Sequence, residues 1–551
     1  MRLSPQIYDI ITHVFDSERA TAIFLLMFSY FLLRQLNRMA VIGVLMWLVS
    51  GSAMTQEATP VKTASPMPPA STPAATPPLQ TIEELQAKIR QRLSHPELAH
   101  GRVGIKIVSL SSGKTVFEMD ADKYFIPASN MKNFTVAAAI ERLTPDFRFV
   151  TTVYADAKPD GDGLVQGDLR ILGRGDVTIS TAFNNGDYYK GIDNLVDKIA
   201  AAGVKRIEGS LVGIEGYFRG YPVPYTWEWN DLQWYYGAEV SAFPINDNAV
   251  DLNVTGGPAG TPCVVSIMPR NTVMQVTNLC TSIASGGPNN LQVFKTLGKN
   301  AIELTGTLPV GGKFDGYVSV THPADVFLEV LKQRLQLRGI TITGSSRTMP
   351  PNLSPPAGQV EIARLESPPL SAIAARTMKV SQNMYTETLL WTLGEEVGRK
   401  TGMSGDSSVM GLAVVNGFLV QAGLPQKSIL QYDGSGLSRH DLVTPSAVVA
   451  LYRYMANQSK YAAVWRSSLS IGGVDGTLNR RFKGTAVAGH LQGKTGTLDQ
   501  VSALSGYLTT AGGDQLVLSL IVNGIAEPDV RRSLIDDLVT YAAAFNGKVA
   551  Q

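Results

Sequence analysis

Apolar positions recur at helical spacing from Thr81 to about Leu93, and the threonine heading that stretch is a natural N-cap. The period then switches to two over Val103–Leu110 and Thr115–Asp120, which predicts two strands joined by the turn Ser111-Ser112-Gly113-Lys114. Another helical run follows Pro127-Ala128-Ser129-Asn130-Met131-Lys132, reaches about Leu143 and stops before Pro145. From about Phe149 to Thr343 the texture changes to short alternating strands and many glycines, broken by one helical stretch at Ala324–Leu337 that ends on Gly339. This reads as material inserted into another fold. The Pro-rich segment Pro350–Pro369 reads as the return linker. Beyond it come helical runs at Leu370–Met378 and Met384–Val397, further helices, strands at Val501–Thr509 and Gln515–Val522, and a last helix at Asp529–Phe545. The expected layout is a main α+β domain split into 81–148 and 346–551, with one or more β-rich inserted domains over 149–345.

The N-terminal region carries an address rather than a fold. Two apolar runs, Ala20–Leu33 and Met39–Val49, flank a polar stretch with Arg34 and Arg38, and neither reaches the roughly 20 residues a spanning helix needs. The second run, with arginines before it and Gly51-Ser52-Ala53 after it, fits a secretory signal. Residues 1–53 are therefore expected to direct export, with an uncleaved membrane anchor as the alternative. The Pro-, Ala- and Thr-rich residues 54–80 are expected to form an extended tether. No cysteine lies near the cleavage site, which excludes a lipoprotein anchor. Export would place Cys263 and Cys280 where thiols oxidise, so they either pair, contributing about 3 kcal/mol in the chain-entropy picture, or remain two buried thiols.

Composition narrows the chemistry. A chain of 551 residues allows about three domains. With 44% apolar and 17% charged residues, it has the means to bury several cores. A net charge of +2 gives no electrostatic footprint for nucleic acid. Two cysteines exclude a four-cysteine metal site, and six scattered histidines without an HExxH pattern argue against a zinc hydrolase. No metal or cofactor is expected. The cluster Tyr225, Trp227, Trp229, Trp234, Tyr235 and Tyr236 could be a sugar-stacking surface, although small-domain core or interface is the commoner use of such residues.

Three short motifs carry the candidate chemistry. A serine is a good nucleophile only when a neighbour takes its proton, and a lysine can do so when burial lowers its pKa. Ser and Lys three apart on a helix share a face. Two such pairs occur, Ser111/Lys114 and Ser129/Lys132. The first falls in a hairpin turn, whereas Ser129 opens a helix, where free N–H groups favour developing negative charge. Ser381-Gln382-Asn383 lies between two helical runs and could point a hydroxyl and an amide into one cleft, or simply cap the second helix. Lys-Thr-Gly occurs twice. Lys400-Thr401-Gly402 reads as a helix C-terminal cap, while Lys494-Thr495-Gly496, followed by Thr497, runs into a strand-like stretch and could lie on a sheet edge. Ala488–Thr495 also fits a relaxed phosphate-binding loop, but a strand rather than a helix follows it.

Ser-x-x-Lys, Ser-x-Asn and Lys-Thr-Gly in this order form the known signature of penicillin-binding proteins and β-lactamases. The chain resembles the bacterial D-alanyl-D-alanine carboxypeptidase/endopeptidase family, the class C low-molecular-mass penicillin-binding proteins, over about residues 80–548. Gly167-Asp168-Leu169 through Gly175-Asp176, the segment Asp433-Gly434-Ser435-Gly436-Leu437-Ser438-Arg439, and the long gap between Lys132 and Ser381 support that branch. Gln382, Thr386 and Asp441 depart from the family pattern of Asn, Ala and Asn. The resemblance implies a periplasmic enzyme whose antiparallel sheet, covered by helices, meets a helical subdomain at the active site. It implies Ser129 as nucleophile, Lys132 as base and Ser381 as proton relay, with backbone N–H groups of Ser129 and Thr497 as the oxyanion hole. Asn383, Lys494, Thr495, Gly496 and Thr497 would contact the substrate, a peptidoglycan stem peptide, and β-lactams would acylate the same serine. Arg439 either is an ordinary surface arginine or, fixed near the cleft, pairs with a carboxylate on the stem peptide. A β-lactamase and a catalytically idle peptidoglycan-binding protein are the alternatives, and the first would need a deacylating base that the sequence does not identify.

Overall fold

The computed structural model describes residues 78–349 and 357–549, so the expected signal or anchor lies outside the described residues, as does all but the end of the tether. Helix α1, Ile82–Leu93, starts as its sequence dictates: Thr81 Oγ1 accepts from the Glu84 N–H at 3.2 Å while Glu84 Oε2 accepts from the Thr81 N–H at 2.8 Å, a reciprocal cap. The main sheet has six antiparallel strands: β1 Arg102–Ser109, β2 Thr115–Met119, β3 Ser470–Ile471, β4 Leu491–Leu498, β5 Val501–Thr509 and β6 Gln515–Asn523, in the spatial order β2-β1-β6-β5-β4-β3.

The two central strands face a separate core on each side. Leu504, Leu508, Leu516, Leu518, Leu520 and Val522 bury themselves under α1 and the C-terminal helix Pro528–Ala544. Their neighbours Ala503, Tyr507, Val517 and Ile521 point the other way, into the core of the helical subdomain. That subdomain includes α2 Lys132–Leu143, α3 Leu370–Val380, α4 Asn383–Leu393, α5 Ser407–Gln421 and α6 Pro445–Asn457. Burial on both faces explains why β6 reads as a nearly continuous apolar run and why only small residues interrupt the apolar positions of β5.

None of the strands between residues 149 and 366 joins this sheet among the described residues. They form their own five-stranded sheet, in the order 346–349, 211–214, 169–172, 150–155, 360–366, together with smaller sheets farther out, and Cys263 and Cys280 are disulfide-bonded there. Two expectations need correction. The Pro-rich segment read as a linker contains the strand Val360–Glu366, antiparallel to Val150–Ala155, so the boundary expected after residue 345 falls inside the inserted sheet. The prolines flank that strand rather than interrupt it, which hid its alternation. The insertion also shares one continuous apolar core with the helical subdomain instead of standing apart from it.

Candidate active site

The nucleophile candidate sits in a single 3-10 turn, Ala128–Met131, that continues directly into α2. Ala128 has φ +47°, a costly conformation for a residue with a Cβ, and the turn is pinned from two sides. A Cβ added at Gly436 would lie 1.9 Å from the Ala128 carbonyl oxygen. One at Gly496 would lie 2.6 Å from the Pro127 carbonyl and 3.1 Å from the Ser129 nitrogen. Both glycines are thus required for close backbone approach, and Gly496 sets β4 against the serine.

Lys132 is completely buried. Its Nζ lies 2.9 Å from Ser129 Oγ, 2.5 Å from Asn383 Oδ1 and 2.7 Å from the Ser435 carbonyl. A neutral amine suits this set: two N–H groups donate to the two carbonyl oxygens and the lone pair faces the serine hydroxyl. Burial pulls the Lys132 pKa down to about 7, although the fields of Asp433, Glu387 and Asp441 oppose the fall. Asp433 is held by Trp227 Nε1 at 2.8 Å and by the N–H groups of Gly436 and Ser438 at 2.6 and 2.8 Å. Glu387 accepts from the Gly434 N–H. Burial and neighbouring negative charge push both Glu387 and Asp441 upward.

The second and third motifs meet opposite Ser129. Ser381, at φ +64°, closes α3, and Gln382 caps α4 by accepting from the Met384 N–H at 3.2 Å. The capping role therefore belongs to Gln382, which leaves Ser381 and Asn383 for the cleft. Lys494, also fully buried, donates to Ser381 Oγ at 2.8 Å and to the Thr495 carbonyl at 2.8 Å. Burial holds its pKa well below the usual lysine range, and a proton on Lys132 lowers it further. Strand β3 pairs only with Gly493 and Gln492, so among the described residues β4 from Lys494 onward has no strand partner on its cleft side. Thr495 Oγ1 bonds Thr477 Oγ1 at 2.7 Å, and Thr495, Thr497, Ser129, Ser381 and Asn383 all line one cleft of about 500 Å³. Arg439 lines the same cleft, with Nε 3.2 Å from Glu228 Oε1 and Nη1 donating to the Asp499 carbonyl at 3.1 Å.

The decoys lie elsewhere. Ser111 sits in the β1–β2 turn with its hydroxyl 3.1 Å from Ser109 Oγ. Lys400 is two-thirds exposed and paired with Glu396 one turn away, and Gly402 ends its helix at φ +93°. Lys494 and Thr495 lie within β4 and no helix follows, so the phosphate-loop geometry is absent there.

Sequence reasoning missed several supports. Asn130 ties the nucleophile turn to the sheet, donating to the Lys494 carbonyl at 3.1 Å and accepting from Ser505 Oγ at 2.6 Å. Asn383 Nδ2 donates to the Tyr236 carbonyl at 2.9 Å, so the inserted segment orients a site residue. The aromatic cluster divides: Trp227 is buried on Asp433 and Trp234 packs against the core, as the core reading expects, while Tyr235 and Tyr236 line the cleft and Tyr225 and Trp229 are exposed.

Residues 85–545 match the model of the D-Ala-D-Ala carboxypeptidase 3 (S13) family. The chain is 31% identical over 459 residues to a D-alanyl-D-alanine carboxypeptidase of Actinomadura sp. (strain R39), covering 81% of this chain and 82% of that protein. It is 24% identical over 433 residues to the D-alanyl-D-alanine carboxypeptidase DacB of Haemophilus influenzae, covering 78% and 86%. The crystal structure of penicillin binding protein 4 (dacB) from Haemophilus influenzae superposes with a TM-score of 0.70 at 22% identity, over 82% of this chain and 97% of that one.

Proposed function

The chain belongs to the D-Ala-D-Ala carboxypeptidase 3 (S13) family, and from that premise we propose how its cleft works as a penicillin-sensitive serine carboxypeptidase/endopeptidase on peptidoglycan stem peptides. Ser129 attacks the carbonyl of the penultimate D-alanine while Lys132 accepts its proton. The Ser129 and Thr497 N–H groups receive the oxyanion, Ser381 passes a proton to the departing amine, and water then cleaves the acyl-enzyme. Asn383 and the open edge of β4 hold the peptide, with Lys494 and Thr495 toward its terminal carboxylate. The observation that carries the reading is the Lys132 amine, buried and 2.9 Å from the Oγ of Ser129, which lines the cleft. Incubating the purified protein with peptidoglycan fragments and reading the products by mass spectrometry tests it: loss of a terminal D-alanine or cleavage of a D-Ala cross-link is expected, and unchanged fragments would overturn it. Export to the periplasm belongs to the same proposal, on the strength of the arginines, apolar run and small residues before residue 54. The N-terminus of the mature protein is its check.

Lys132 also sets a pH dependence. Because its pKa is lowered to about 7, the amine is protonated below that pH and can no longer take the serine proton. The acylation rate should therefore fall about tenfold per pH unit below 7 and level off above it. A rate independent of pH between about 5 and 8 would remove Lys132 as the base.

Arg439 offers a guanidinium to the substrate from the wall of the cleft that Ser129 and Ser381 line. Arg439→Ala is expected to lower kcat/KM for stem peptides about tenfold while sparing acylation by simple penicillins, which lack the matching carboxylate. Equal loss with both would mark a structural role through Glu228 and Asp499.

A further inference from the structure

A second cavity of about 310 Å³ abuts the catalytic cleft, and Tyr235 and Val380 line both. Gln382 opens only onto the second cavity, so the residues on either side of Ser381 form its near wall. Ser381 faces the departing amine in the mechanism above, which places this cavity on the departing side, whereas Arg439 and Tyr236 line only the first cleft.

The lining is polar and carries both charges. Asp247 accepts from Tyr385 OH at 2.6 Å and from Gln382 Nε2 at 3.0 Å. It is held in a run of three left-handed residues, Asn246, Asp247 and Asn248, at φ +45°, +62° and +54°. Such a run persists only when its surroundings fix it, and here Asn246 and Asn248 are buried and bonded on both sides. Asp251 stands beyond it with Tyr188 on one oxygen. Across the cavity, Arg376 is exposed on α3, and its guanidinium makes no hydrogen bond or ion pair among the described residues. Tyr235 and Tyr317 meet edge to face at 5.7 Å along the rim.

We propose that this cavity is a subsite for the departing stem peptide of a cross-linked substrate: Arg376 takes that peptide's terminal carboxylate, Asp247 and Asp251 accept from its N–H groups, and Tyr235 and Tyr317 flank its backbone. A free pentapeptide releases only D-alanine, which carries no further residues to occupy the cavity. The subsite thus favours cross-link cleavage over carboxypeptidase action at the same serine. Gln382 connects the two regions, since one side chain both caps the helix that begins with Asn383 and bonds Asp247.

The proposal rests on the functional reading above, and its test keeps the two apart. Arg376→Ala should raise KM for a cross-linked stem-peptide dimer about tenfold or more, with KM for a free pentapeptide and the rate of penicillin acylation unchanged. Arg376→Lys should recover part of the loss. With the wild-type chain, a dimer whose departing strand ends in a carboxamide should bind as weakly as the normal dimer binds to Arg376→Ala. Equal KM for the acid and amide dimers, or an Arg376→Ala effect shared by dimer and pentapeptide, would overturn the subsite. A wild-type chain that neither labels with penicillin nor cleaves either peptide would overturn the functional reading instead.

Discussion

Ser129→Ala is expected to abolish covalent labelling by a fluorescent penicillin, and Ser111→Ala is expected to label at the wild-type rate. Both serines stand three residues before a lysine, so composition and spacing alone leave them equivalent. Burial separates them. Lys132 is removed from water and reaches Ser129 Oγ at 2.9 Å, while Ser111 occupies an exposed turn and shares a hydrogen bond with Ser109. Intact-mass measurement should show the full adduct on Ser111→Ala and none on Ser129→Ala; labelling of Ser129→Ala at the wild-type rate would end the assignment. The lifetime of the wild-type adduct carries further information. A stable adduct is the mark of a peptidase, rapid loss that of a β-lactamase, and no adduct that of an idle binder.

Much of this site was legible in the chain because its chemistry is local. Ser-x-x-Lys needs only one helical turn, Lys-Thr-Gly only one strand edge, and Thr81, Gly402 and the β5 and β6 runs each announce their element through a cap or a period. The supports are not local. Asn383 is oriented by a backbone carbonyl, that of Tyr236, and any residue type supplies a carbonyl, so no sequence signal exists for it. Asn130 and Ser505 meet across the sheet from distant parts of the chain, and each alone looks like an ordinary polar residue. The Asp433 segment could be quoted as a motif, but its role under Lys132 depends on Trp227 of the insertion reaching across to hold the carboxylate. The same contacts explain why the inserted region shares a core with the helical subdomain: it forms part of the cleft wall and also supports residues of the cleft itself. Residues 149–345 contain none of the three motifs, yet through Tyr236 and Trp227 they hold Asn383 and Asp433 in place.

Lys494→Ala should lower the acylation rate by about two to three orders of magnitude, whereas Lys400→Ala should leave it within about twofold. The two lysines begin identical Lys-Thr-Gly triplets, and their surroundings decide the difference. Lys400 is mostly in water, beside Glu396 on its own helix, where an ion pair contributes little. Lys494 is buried between Ser381 and the edge of β4, and burial disfavours its charge while the cleft is empty. A substrate or penicillin carboxylate arriving at Thr495 supplies the missing counter-charge in a place where water screens little. In the proposed mechanism the interaction strengthens with the ligand in place, and Lys494 holds Ser381 ready to protonate the leaving nitrogen. Lys494→Met, which keeps most of the side-chain volume, separates the lost charge from a collapsed cavity: it should acylate as slowly as Lys494→Ala and melt closer to the wild type. If Lys400→Ala were the damaging substitution, or if Lys494→Met acylated at the wild-type rate, the placement of the third motif on β4 would carry no chemistry.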